Sequence, residues 1–432
     1  MAAMNDTRRD FVKTAAAAFT TQMFTGAVRG ANDRIAVGFI GMGKMGRDNL
    51  HYAMRQPNAE AAAVCDVYDR NLNWAMEIAH GRARRVRDFH EILDDKSIDA
   101  VCVATPDHWH AYLTVEACKA GKDVYVEKPV SVTIDEATKM LEAARKYKRV
   151  VQSGTMQRSA EHFRKAVDLV RSGELGKVTF VRAWNYEHSG PQGIGDPPDS
   201  DPPAGLDWDM WLGPAPRRAF NPNRFGVDPQ DRYFSRFRWF WDYAGGMMTD
   251  WGVHLLDIVQ WAFDEAMPRS VTASGGKFYL HDNRETPDTL QVTYEYPEFI
   301  AVYENREGNA QSMFDRGYGI LFHGERGTLF VDRRECRLVS EPGSTLMNWK
   351  LDYTSGGNVE HWANFLDCMR TRQKPASDIE ICRRSTTTCH LGNIALRSRE
   401  RVDFDAERWT VAQPEAKKYF EREYRAPWKL AV

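Results

Sequence analysis

Gly41-Met42-Gly43-Lys44-Met45-Gly46 is the stretch of this 432-residue chain whose spacing points most directly to a chemistry. A GxGxxG run between an apolar strand and a helix supplies glycines for a tight turn, for close approach of a pyrophosphate and for helix–strand contact. It also sets the phosphates on a helix N-terminus. Arg34 to Ile40 (RIAVGFI) supplies the strand, a helical pattern follows to about Arg55, and Asp66 ends the next apolar run, 20 residues past Gly46. A carboxylate there serves the adenosine ribose hydroxyls and repels a 2′-phosphate, which selects NAD over NADP. Arg70 nearby leaves that choice open.

The elements that must hold this loop read as alternating strands and helices. Glu60–Cys65, Asp99–Ala104, Lys122–Val126 and Val150–Ser153 are short apolar runs separated by helix-length segments, one of them about Ile134 to Tyr147. That alternation means a doubly wound parallel sheet covered on both faces, a Rossmann domain over 33–155. From 156 the texture changes. A helix from about Ala160 to Ser172 leads into Val178–Tyr186, Val271–Leu280, Thr289–Tyr296 and Ala301–Asn305. These alternate as strands of an α+β domain with a large, mostly antiparallel open sheet, carried to 432 with C-terminal helices over 358–400 and a tail. Gly190 to Gly205 reads as a long surface loop.

Bulk composition removes several functions. The 58 basic and 60 acidic residues nearly cancel, so no basic field gathers nucleic acid. The seven cysteines are scattered without a CxxC pair and read as core packing. His108 and His110 make a poor metal pair because no carboxylate or third His lies at ligand spacing, so no metal is expected. No apolar stretch of about twenty residues predicts a membrane span. Thr7-Arg8-Arg9-Asp10-Phe11-Val12-Lys13, followed by the Ala-rich run to Phe24, resembles a twin-arginine export signal over residues 1–31. That implies a periplasmic or exported protein.

Three further stretches join the glycine loop: Ala104-Thr105-Pro106-Asp107-His108-Trp109-His110, Glu127-Lys128-Pro129, and Gly245 to Asp257 (GGMMTDWGVHLLD). Together, and with the Asn358–Arg370 helix and the Tyr424–Trp428 tail, they resemble the Gfo/Idh/MocA oxidoreductase family over nearly the whole chain. The resemblance implies Lys128, Asp250 and His254 as catalytic residues. It also implies a nicotinamide loop from Thr105, Pro106, His108 and His110, with Glu127 and Lys128 beside the cofactor. The chemistry agrees: removing hydride from a carbinol carbon leaves a hydroxyl proton for a base, which His254 suits, and a developing alkoxide for a cation, which Lys128 suits. Asp250, four residues before His254, shares its face on a helix and either holds substrate hydroxyls or orients the imidazole.

Weaker expectations concern substrate. Trp184, Tyr186 and His188 share one face of a strand and offer a floor for a sugar ring, although ordinary sheet packing explains the aromatic pair as well. Gln157 and Arg158 read either as reaching substrate from the inter-domain link or, equally well, as an exposed polar pair. The family implies a carbohydrate substrate and a dimer or tetramer packed through the open sheet face. The first expected reaction is NAD(P)-dependent oxidation of a sugar hydroxyl. The alternatives are a redox-neutral NAD-assisted glycoside hydrolase and a non-catalytic sugar-binding protein. An exported enzyme has no NAD pool to exchange with, which implies a tightly held cofactor.

Overall fold

The computed structural model describes residues 34–226, 236–353 and 356–432. The expected Arg8-Arg9 signal lies outside them. β1 (Ile35–Ile40), β2 (Ala59–Cys65), β3 (Arg84–Val86), β4 (Ala100–Val103), β5 (Asp123–Val126) and β6 (Val151–Ser153) form one sheet in the order β3-β2-β1-β4-β5-β6. Every neighbouring pair is parallel. β4 and β5 are buried throughout, which is why AVCV and, after Asp123, VYV are apolar runs. β3 was not legible: Arg84-Arg85-Val86 is an edge strand with a single buried residue. The strand order reverses between β1 and β4, and open α/β sheets bind ligands at that crevice, beyond the strand C-termini.

The second sheet holds β7 (Val178–Tyr186), β8 (Ser270–Gly276), β9 (Thr289–Glu295), β10 (Ile300–Arg306), β11 (Tyr318–Gly324), β12 (Gly327–Val331), β13 (Glu335–Ser340), β14 (Trp349–Asp352), β15 (Val402–Asp405) and β16 (Thr410–Val411). Their order is β14-β13-β12-β11-β7-β10-β9-β8-β15-β16. Neighbours are antiparallel except β7 and β10, which run parallel. Helices Glu161–Arg171, Gly252–Ala262 and Ile379–Ser398 cover one face, and their apolar sides share a core with Val181 and Ala183 of β7. Pleating turns Trp184 and Tyr186 to the opposite face, where they pack with Leu321 and Phe330.

Two segments cross between the halves. Helix Asn358–Thr371, which follows the second domain in sequence, buries Trp362, Phe365 and Leu366 in the Rossmann core, with Trp362 stacked on Tyr125 at 4.4 Å. Residues 206–226 and 236–243 carry an aromatic cluster of Trp211, Phe220, Phe225, Phe240 and Tyr243 that packs against Tyr68 of the first domain. Residues 190–205 contain turns but no helix or strand, as the loop reading expects. All seven cysteines are free and buried.

Candidate active site

The glycine loop divides its work as the spacing demands. Gly41 has φ +88°, and a Cβ there would stand 2.6 Å from Thr105 N. A Cβ on Gly46 would stand 1.8 Å from Gly41 O, so the helix head can approach the strand only without a side chain. Gly43 faces open space, with nothing within 4 Å of a built Cβ. It is the N-cap of helix Lys44–Met54 and makes no side-chain cap hydrogen bond, which leaves the first-turn N–H groups for an anion.

Asp66 is buried beside this loop. Its Oδ2 accepts from Met42 N at 2.6 Å and Asn71 Nδ2 at 3.1 Å, and its Oδ1 accepts from Tyr68 N at 2.8 Å. Burial raises the carboxyl pKa while these bonds oppose the rise. Oδ1 keeps a lone pair for a ribose hydroxyl. Met42 contributes only its backbone, because its side chain is buried in the core. Lys44 pairs with Asp48 at 3.0 Å on the cleft wall next to Met45.

His110 ties two loops together, with Nδ1 2.7 Å from Pro129 O and Nε2 2.8 Å from Thr105 O. Thr105 Oγ1 is buried on the cleft wall without a hydrogen-bond partner. Glu127 Oε1 accepts from Asn49 Nδ2 at 2.8 Å. His108 departs from expectation. It turns away from the cleft, with Nε2 3.0 Å from Trp211 O and its ring against Trp211 and Tyr243, because the aromatic segment offers it a dry, hydrogen-bonded seat.

Lys128 stands after β5 and bonds through Nζ to Asp250 Oδ1 at 2.7 Å; Arg238 Nη1 meets Oδ2 at 3.3 Å. Burial works against the Asp250 charge, but Arg238 and Lys128 outweigh it and hold the carboxyl well below the usual range. The single helix expected under Asp250 and His254 is two, Gly246–Asp250 and Gly252–Ala262, broken at Trp251. Asp250 spends its oxygens on cations and makes no hydrogen bond to the imidazole. His254 Nδ1 is buried without a partner. Burial, then the charges of Arg333 and Lys128, hold its pKa well below the ordinary histidine value, so the ring is neutral and keeps a lone pair.

Two substrate expectations, Arg158 and Tyr186, are corrected. Arg158 is locked in a buried ion pair, Nε to Asp257 Oδ2 at 2.7 Å and Nη1 to Glu265 Oε1 at 2.9 Å, because a buried guanidinium needs carboxylates. Tyr186 lies on the sheet face away from the helices, under Arg306 at 3.7 Å. His188 is exposed beside Gly308 O at 3.2 Å. Gln157 is buried behind His254, where its Nε2 donates to His254 O at 3.2 Å.

One cleft of about 1390 Å³, mouth included, joins Gly41, Gly43 and Asp66 through Thr105, Pro106 and His110 to Glu127, Lys128 and Asp250. Trp211, Phe225, Phe237 and Arg238 wall it, and the sequence reading missed all four. The aromatic run Arg236 to Tyr243, directly ahead of Gly245, was the available signal. Arg333, from the turn after β12, carried no local signal.

With this geometry in place, the chain is placed by likeness. Residues 35–155 match the NAD-binding Rossmann fold of the Gfo/Idh/MocA oxidoreductase family, and residues 162–430 match the family's C-terminal alpha/beta domain. The chain belongs to this family, and its first domain is an NAD-binding Rossmann domain. Inositol 2-dehydrogenase of Salmonella typhimurium is 31% identical over 157 residues, covering 36% of this chain and 47% of that protein. The enzyme of the same name from Rubrobacter xylanophilus is 34% identical over 162 residues, 37% of this chain and 46% of that one. The match thus spans about half the length of these relatives. Among solved structures, the WlbA dehydrogenase from Bordetella pertussis in complex with NADH and UDP-GlcNAcA has a TM-score of 0.64 at 16% identity, covering 86% of this chain and 99% of that one. Levoglucosan dehydrogenase in complex with NADH and levoglucosan gives 0.64 at 16%, with the same coverages. These two likenesses are of fold.

Proposed function

We propose that the protein is an NAD-dependent oxidoreductase that oxidises a hydroxyl of a sugar or sugar derivative, with Lys128, Asp250 and His254 as its catalytic residues. The observation that carries this reading is the continuity of the cleft from the glycine loop to the Lys128–Asp250 pair. When bound, NAD supplies the hydride acceptor. Lys128 sets a positive charge beside the oxygen that develops negative charge, and Asp250 fixes that ammonium in place. His254, held neutral, takes the hydroxyl proton. Net oxidation is preferred to hydride-neutral hydrolysis because the similar proteins are described as dehydrogenases.

Tight retention of NAD is part of the proposal. Residues 205–207 are stitched beside Asp66: Asp69 N donates to Gly205 O at 3.1 Å, Asp207 N to Val67 O at 2.9 Å, and Tyr68 pairs with Leu206. The Trp211 and Phe225 wall follows directly, so the adenosine end is covered by a packed segment. Export through the Arg8-Arg9 signal and a dimer or tetramer through the open sheet face complete the reading. Cell fractionation and light scattering test those two. The main test is to denature the purified protein and quantify released nucleotide, then assay sugars for NADH formation. Stoichiometric NAD together with sugar-dependent NADH supports the proposal; an empty protein with a millimolar NAD affinity and no NADH on any sugar defeats it.

A further inference from the structure

Arg333 occupies the turn between β12 and β13, and the turn is fixed from several sides. Asp332 Oδ1 accepts the N–H groups of Arg334 and Glu335 at 2.8 and 2.9 Å, Asp332 Oδ2 pairs with Arg316 Nε at 3.2 Å, and Tyr353 N donates to Arg334 O at 2.6 Å. So held, the turn delivers one side chain against the catalytic motif. Arg333 Nε donates to Gln157 Oε1 at 3.4 Å, and Gln157 in turn holds His254 O. The guanidinium lies over the Trp251 ring at 4.7 Å, and Trp251 lies between Asp250 and Gly252 in the catalytic motif.

Its charge has no direct counterpart. Among the described residues no carboxylate is ion-paired with Arg333, and Asp250, whose field reaches it, is already bonded to Lys128 and Arg238. Burial pushes the nearby Asp107 carboxyl well up, toward its uncharged form, and raises Glu187 in the same direction. Lys128, Arg238 and Arg333 therefore lie in the field of Asp250, whose two oxygens are already taken by the first two. A half-buried guanidinium without an anion is costly, and its planar fork matches the two oxygens of a carboxylate.

We propose that Arg333 is a specificity-determining residue that pairs with a carboxylate of the substrate, so that the substrate class is an acidic sugar, a uronate or an aldonate, rather than a neutral polyol. The proposal rests on reading the cleft as a sugar-oxidising site. A sugar phosphate offers the same sign of charge, but its tetrahedral dianion calls for more donors than one fork supplies.

The test is calorimetric titration of the NAD-loaded protein with D-glucuronate, D-galacturonate and D-gluconate, against D-glucose, D-galactose and glucose 6-phosphate. At least one acid is expected to bind about 10-fold more tightly than the neutral sugars. Arg333→Gln is expected to weaken that acid by about 30-fold and abolish its preference over the neutral sugars, with NAD affinity unchanged and the thermal midpoint unchanged or raised. Arg333→Lys, which keeps the charge and guards against a variant that fails to fold, is expected to recover part of the loss. The assignment is overturned if no acid exceeds the neutral sugars, if glucose 6-phosphate alone binds, or if Arg333→Gln keeps the preference. Because the readout is affinity, a protein that turns over only neutral sugars to NADH removes Arg333 from this role and leaves the oxidoreductase reading standing. Acids bound through Arg333 without NADH formation do the reverse.

Discussion

The cofactor end of the cleft is built from backbone and missing side chains, whereas the substrate end is built from charge. Gly41, Gly43, Gly46 and Asp66 lie within one βαβ unit, and their roles follow from sterics: a positive φ, an open face, a close approach, a buried acceptor. Lys128, Arg238, Asp250, His254 and Arg333 arrive from separate elements across about 200 residues, and their roles follow from one another's fields. A steric site can be read from a short motif, because each residue meets its own backbone. An electrostatic site exists only once the fold has collected it.

That contrast is broken or sharpened by variants that should affect one end and spare the other. The largest effect is expected from Lys128→Met or His254→Ala, which should lower sugar-dependent NADH formation by about 10³-fold while NAD affinity, followed by tryptophan fluorescence, holds within about 3-fold. Loss of NAD binding in both would merge the two ends. Next, Gly41→Ala should weaken NAD by about 100-fold and also destabilise the fold by about 1–3 kcal/mol, since the new Cβ meets Thr105 N in a left-handed backbone. Nucleotide titration and a denaturant melt check both halves. Asp66→Ala should cost about 10-fold in NAD affinity and narrow the preference over NADP, a smaller effect because one hydrogen-bonding group is removed.

A separate effect, on stability and not on either end of the cleft, concerns pH and two buried imidazoles. Burial holds His361 and His390 at about 4, against 6.5 for a free imidazole. Above 6.5 both folded and unfolded states are neutral and the two residues contribute no pH dependence. As pH falls from 6.5 toward 4 the unfolded chain takes up protons that the folded chain does not, so stability falls in that window. At pH 5 the loss is about 2 kcal/mol for each, measured as a drop in denaturation midpoint that His361→Asn should reduce.

The same contrast governs what was legible. Apolar runs announced β1, β2, β4, β5 and β6 because strands of a parallel sheet covered on both faces are mostly apolar, and β3 escaped because an edge strand needs only Val86 inside. The period of two put Trp184 and Tyr186 on one face correctly, but periodicity does not say which face meets the helices, and they lie on the other. Arg158 looked available beside the link and is instead consumed by Asp257 and Glu265, partners about a hundred residues away. His108, inside a motif, was captured by Trp211, a residue outside every motif. Arg333 comes from a turn and the cleft wall from helices of four or five residues, too short for a period to mark a residue as inward.

Gly43→Asp tests the central claim most directly, that the glycine loop binds a dinucleotide pyrophosphate that the substrate end then uses. Aspartate is a strong N-cap and meets no neighbour at this position, so the helix Lys44–Met54 should be as stable as before or slightly more so. The negative charge would sit where phosphate is received. The account predicts an unchanged or raised thermal midpoint together with at least about 100-fold weaker NAD binding. A folded Gly43→Asp protein that binds NAD as tightly as the parent would contradict it.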